Sequence, residues 1–85
     1  MPRGTSTGVV HWRRMRRYYF HFEGNRPHTD ETGEFLEDDE AAWAAALRLV
    51  RDVENGLRPG ENWTLRVVSE DTPVYILRVM TKRYR

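Results

Sequence analysis

Few residues in this chain have the type and spacing that chemistry requires. Tyr19 and His21 alternate with the aromatic residues Tyr18, Phe20 and Phe22, and Arg66 and Arg78 alternate with later apolar runs. A pleated strand sends alternate side chains to opposite faces, so these four groups share the outward face of a sheet. Rings and guanidinium groups on an open sheet could stack nucleic-acid bases and follow the phosphate backbone. Val68 and Ile76 fall on the same face and favour contact with protein instead. The candidate interaction face is therefore Tyr19, His21, Arg66, Val68, Ile76 and Arg78. Only one ring on it is clearly exposed and no RNP-like motif is present. A protein partner, most simply a second copy in a homodimer, is the leading expectation. A nucleic-acid-associated regulator using the basic termini and the open face is the alternative.

Other chemistry finds little support. His11, His21 and His28 lack metal-ligand spacing, and the acidic stretch lacks the alternating ligands and central glycine of a calcium loop. Ser6 and Ser69 have no nucleophile-elbow context, and no glycine loop is built to cradle phosphate. Nothing singles out a catalytic carboxylate pair. The expectation is a non-enzymatic module with no catalytic residue, cofactor or metal, and no small-molecule ligand is evident.

At 85 residues the chain reads as one small domain, near the lower limit for folding without staples. It has no cysteine, which removes disulfides and thiolate metal sites and fits a reducing cytoplasm. No apolar run approaches the roughly 18 residues of a membrane span. The first residues lack the apolar stretch of a secretory signal. The expected setting is the cytoplasm, with no membrane contact.

A net charge of +1 conceals segregation. Arg13, Arg14, Arg16 and Arg17 precede the first strand, and Lys82, Arg83 and Arg85 end the chain. Between them Asp30, Glu31, Glu34, Glu37, Asp38, Asp39 and Glu40 form a block with no basic residue inside it. Basic ends could meet phosphates, but solvated termini are the plainer explanation.

The elements that must position the face follow from periodicity. Residues 1–14 read as a flexible extension, rich in Gly, Ser, Thr and Pro, with Met15 placed to be the natural start. Val9, Val10 and Trp12 could add a short edge strand. A strand is expected over about Arg17 to Glu23, with a tight turn at Gly24-Asn25 and a second strand near Arg26 to Thr29. Pro27 would make that strand an edge. Phe35-Leu36 supplies an apolar contact before the helix.

Asp38 is placed to cap a helix over Asp39 to Asn55, with Gly56 as its stop. Trp43, Ala46, Leu47, Val50, Val53 and Leu57 share its expected inward face. Trp63 to Val67 and Tyr75 to Val79 alternate as strands around a turn at Glu70-Asp71-Thr72-Pro73. The expected inward set is Tyr18, Phe20, Phe22, Trp63, Leu65, Val67, Tyr75, Leu77 and Val79. The predicted architecture is α+β, ββαββ: a small, mostly antiparallel four-stranded sheet with one helix on one face. It spans residues 15–81 and leaves 82–85 as a basic tail.

Arg16-Arg17-Tyr18-Tyr19-Phe20-His21-Phe22 resembles the start of a bacterial family of short domains of unknown function that open with a motif like P-R-Y-[FY]-F-H. A D-x-x-G turn, matched by Asp30 to Gly33, follows in the family's order. Next come an L-x-D approach to the helix (Leu36 to Asp38), an Ala-rich helix (Ala41 to Leu47) and a W-x-[LIV]-x-V strand (Trp63 to Val67). The resemblance covers about residues 15 to 80. It departs at the last turn, where the family usually has glycine and this chain has none between Glu70 and Pro73. The family has no assigned activity, so the resemblance implies the fold and transfers no function. A more distant likeness to HicB-type antitoxin domains rests on a small sheet before an acidic helix start. It is an analogy of architecture only.

Overall fold

The computed structural model describes residues 15–85, so the expectations for residues 1–14 lie outside the described residues. The elements are β1 (Arg16–Gly24), β2 (Glu34–Leu36), α1 (Asp39–Asn55), β3 (Asn62–Ser69) and β4 (Thr72–Met80). All strand pairs are antiparallel and the sheet order is β2-β1-β3-β4. This is the ββαββ, α+β arrangement that the alternation predicts.

Alternation in β1 and β3 sends Tyr18, Phe20, Leu65 and Val67 to one face, where they are buried against Ala42, Ala45 and Ala46 of α1. Phe22, Leu36, Leu49, Val50, Val74, Tyr75 and Leu77 close around that centre. The layers complement each other in size, with large side chains on the sheet and alanines on the helix. That complementarity corrects the expected helix face. Trp43 and Leu47 are 41% and 38% exposed, because the rings of β1 already fill the space beneath the helix and only small residues fit there. The inward stripe is centred on Ala42, Ala45 and Ala46, with Leu49 and Val50 a turn further on.

The helix ends fall where local chemistry puts them. The Asp38 carboxylate accepts from the Ala41 N–H at 2.8 Å, and Asp39 and Glu40 place negative charge at the positive end of the helix dipole. At the other end the Gly56 N–H donates to the Val53 carbonyl at 3.0 Å.

The second strand is not where the sequence puts it. Residues 26–29 contribute a single bridge, Phe22 with His28, and the strand that pairs with β1 is β2. The chain does reverse around Gly24-Asn25, where Phe22 and His28 exchange two backbone hydrogen bonds, but through the wider loop 23–27 and with Gly24 also in close approach to β3. Gly24 has φ +117°, and a Cβ there would lie 2.3 Å from the Asn62 carbonyl oxygen. The Asn25 side chain completes the junction by accepting from the Asn62 N–H at 2.8 Å.

Between β3 and β4 the chain reverses through Glu70 and Asp71, with φ of 51° and 66°, between the paired residues Ser69 and Thr72. Two left-handed residues in succession make a type I′ turn, the form whose twist suits a hairpin and which favours Asn-Gly. Carrying Glu and Asp there costs on the order of 1 kcal/mol per residue. The double substitution Glu70→Asn, Asp71→Gly is therefore expected to stabilise the fold by about 1 kcal/mol. A thermal melt should rise by roughly 4–8 °C. An unchanged or lower midpoint would show that the two acidic side chains contribute more than the backbone strain removes. Just beyond the turn, pairing shifts between Val67–Tyr75 and Val68–Pro73, which leaves Val74 as a bulge packed against the core.

Candidate interaction face

The face of the sheet opposite α1 is built by cross-strand pairing. Tyr19 lies opposite Val68, His21 opposite Arg66, Arg66 opposite Ile76 and Thr64 opposite Arg78. All of the residues Tyr19, His21, Arg66, Val68, Ile76 and Arg78 are thereby gathered on one surface. Because β1 and β3 are neighbours, Tyr19, His21 and Arg66 sit side by side in the middle of the sheet, with Arg78 on the edge strand β4.

Its polar groups are largely engaged with one another. The Tyr19 and His21 rings stack with centroids 6.2 Å apart and planes 10° from parallel. Arg66 donates from Nη1 to Glu23 Oε2 at 3.0 Å, a partly exposed ion pair that contributes roughly 0.2–1 kcal/mol. On the β2 side, the Arg17 guanidinium lies 4.6 Å from the centroid of the Phe35 ring. Phe35 is 56% exposed and extends the face beyond the residues read from sequence, which assigned it to the approach of the helix. Its register opposite Arg17, which no local pattern reveals, places it here.

Sequence reasoning also missed the residue that holds this region together. The Asp30 carboxylate accepts from Phe20 N at 3.1 Å and from Thr32 N and Gly33 N, each at 3.0 Å. The Asp30 N–H in turn donates to His21 Nδ1 at 3.1 Å, which ties the imidazole to the loop. Along the outer edge of β1, the His28 backbone meets Phe22, the Asp30 side chain meets Phe20, and β2 meets Tyr18. A carboxylate thus stands in for a missing strand. Burial by itself pushes the Asp30 carboxyl up, but the N–H groups of Gly33, Phe20 and Thr32, aided by nearby His21, reverse this and hold it below 3.8.

Gly33 completes the arrangement. With φ +75°, it has no room for a Cβ, which would sit 2.8 Å from Arg17 Cγ and 3.0 Å from Tyr19 Cε2. The D-x-x-G signal was present in the sequence, and its meaning is architectural.

On the helix side, Tyr18 donates from its hydroxyl to Asp39 Oδ1 at 2.7 Å, and Tyr75 donates to the Asp39 carbonyl at 3.1 Å. The two hydroxyls tie the first turn of α1 to the sheet. Burial, then the Asp39 hydrogen bond, push the Tyr18 phenol up to about 12 from 10.0. Its contribution to stability is therefore complete below pH 10.0 and is lost as pH rises through about 12. A cleft of about 690 Å³ beside this junction is lined by Arg16, Glu37, Asp38, Asp39, Glu40 and Glu70 around Tyr18. Among the described residues no three His, Cys, Asp or Glu side chains are grouped to hold a metal ion. No helix among them is long and apolar enough to cross a membrane.

Fold and face together define a small α+β domain with one covered and one open sheet surface. Residues 17–81 match the model of a family described as a domain of unknown function, DUF6894, and the chain belongs to that family. Comparison with curated proteins and with solved structures finds no match to this chain.

Proposed function

We propose that this chain is a non-enzymatic interaction module of the cytoplasm that associates with itself, most simply as a two-fold dimer. The observation that carries the reading is how the open face divides its groups. The polar members satisfy one another, as in Arg66 with Glu23 and His21 with Asp30 and Tyr19, while Phe35, Ile76 and Met80 stand 56%, 55% and 74% exposed. Exposed apolar side chains gain by being covered, and a surface used for protein contact is where they are expected to collect. A platform for single-stranded nucleic acid needs free rings and free cations. Here the central ring is stacked on a histidine and the central arginine is paired with a carboxylate. The net charge of +1 also gives little attraction for phosphate. The absence of cysteine supports a reducing compartment.

Light scattering across a concentration series, together with anisotropy titration of labelled oligonucleotides at two salt concentrations, tests the reading. Dimer formation with no salt-sensitive oligonucleotide binding is the expected result. A strict monomer whose oligonucleotide affinity falls with salt would instead support the nucleic-acid-associated alternative.

A further inference from the structure

We propose that β4 is the surface of self-association: two copies pair β4 against β4 antiparallel about a two-fold axis, so that their sheets continue as one. The inference rests on the self-association proposed above and names its surface and geometry.

The two edges of the sheet are built differently. On one side β2 is only three residues long, and the backbone of β1 beyond it is met by His28 and the Asp30 carboxylate. On the other side β4 runs for nine residues, and no strand lies beside its outer edge among the described residues. Edge strands normally carry devices that prevent pairing, such as short length, bulges, prolines and charge. In β4 the proline and the bulge, Pro73 and Val74, both sit at its beginning. From Tyr75 to Met80 the pairing with β3 is regular, and Arg78 is the only charged side chain in the strand.

Exposed apolar surface gathers along the same edge on both sides of the sheet. Ile76 and Met80 are uncovered on the open face. On the helix side, the Trp43 ring lies 5.1 Å from the Tyr75 ring, which places that flank of α1 over β4. Leu47, one turn along the same flank, is exposed with it. A strand partner at β4 therefore covers backbone groups and both apolar fringes at once.

Charge identifies the occupant as a second copy and sets its direction. Glu70 and Asp71 precede β4, whereas Arg78, Lys82 and Arg83 lie at and beyond its far end. Antiparallel self-pairing lays the acidic turn of one copy beside the basic end of the other at both ends of the seam. Parallel pairing would set like charge against like.

The chain has no cysteine, so Arg51→Cys, on the solvent side of α1 and outside the proposed seam, accepts a single spin label. In the β4 pairing both helices lie on the same side of one sheet, a few strand spacings of about 4.8 Å apart, and the two labels should fall within about 25 Å. Face-to-face packing of the open surfaces would put two helix layers outside two sheets and separate the labels by more than roughly 30 Å. In parallel, Leu47→Lys should weaken dimerisation at least tenfold, while Val68→Lys, in the middle of the open face, should leave it within about twofold. A dimer with long label distances, or with the reverse sensitivity to these substitutions, overturns the β4 seam while leaving self-association intact. A strict monomer up to about 1 mM, a concentration at which even weak pairs form, overturns self-association itself.

Discussion

Phe20→Ala is expected to leave little folded protein at 25 °C. Phe20 is 6% exposed, between Tyr18 and Phe22 along β1 and opposite Val67 in β3. Truncating a buried phenylalanine removes its transfer free energy and opens a cavity, together about 3–5 kcal/mol. A domain of this size has total stability on the order of 5 kcal/mol, so the loss consumes most of it. Far-UV circular dichroism and thermal melting measure the effect directly. Trp43→Ala provides the contrast. The indole is 41% exposed and packs mainly on Tyr75, so its removal should cost only about 1 kcal/mol. A small effect at Phe20, or equal effects at both positions, would contradict the division of labour between sheet and helix described above.

Asp30→Ala should be nearly as damaging, although Asp30 belongs to a loop and is not part of the apolar core. The substitution leaves the Phe20, Thr32 and Gly33 N–H groups without their acceptor, at a cost of about 3 kcal/mol. Asp30→Asn retains one acceptor oxygen without the charge and should cost about half as much. The same carboxylate makes stability depend on pH. Its folded-state pKa lies below 3.8, so its contribution is present above that value and disappears as pH falls through the depressed folded value. Urea titrations at several acidic pH values should show a loss of stability in the wild type that is smaller in Asp30→Asn. Identical pH profiles for the two proteins would remove Asp30 from the account.

What was legible in the sequence was what local chemistry decides. Asp38 and Gly56 mark the helix because a cap acts on groups only a few residues away. Alternation identified β1, β3 and β4 and placed Tyr19, His21, Arg66, Val68, Ile76 and Arg78 on one side of the sheet, since period two is a property of the strand itself. What could not be read depends on distant partners. The strand beside β1 is β2 and not residues 26–29, because the Asp30 carboxylate occupies the edge at Phe20 and moves true pairing back to Tyr18. The helix face turned towards its alanines because β1 supplies the bulk. The internal pairing of the open face joins Glu23 to Arg66 across strands far apart in sequence. A turn without glycine gave no sign that both of its central residues adopt left-handed conformations.

The strand order has a consequence for how the chain is made. β1 is synthesised first, yet its long partner is β3, with Phe22 opposite Leu65 and Tyr18 opposite Ser69. The connections nearest in sequence, β2 and the Asp30 loop, cover only its outer edge. A nascent chain therefore displays the aromatic side of β1 until β3 has left the ribosome. At roughly 5–20 residues per second that interval lasts seconds, long compared with the microseconds in which a hairpin closes. β3 and β4 can zip together as soon as both are available, whereas β1 must wait for them. Translation of nearly the whole domain precedes its folding, and Tyr18, Phe20 and Phe22 are the side chains exposed to other proteins during the delay.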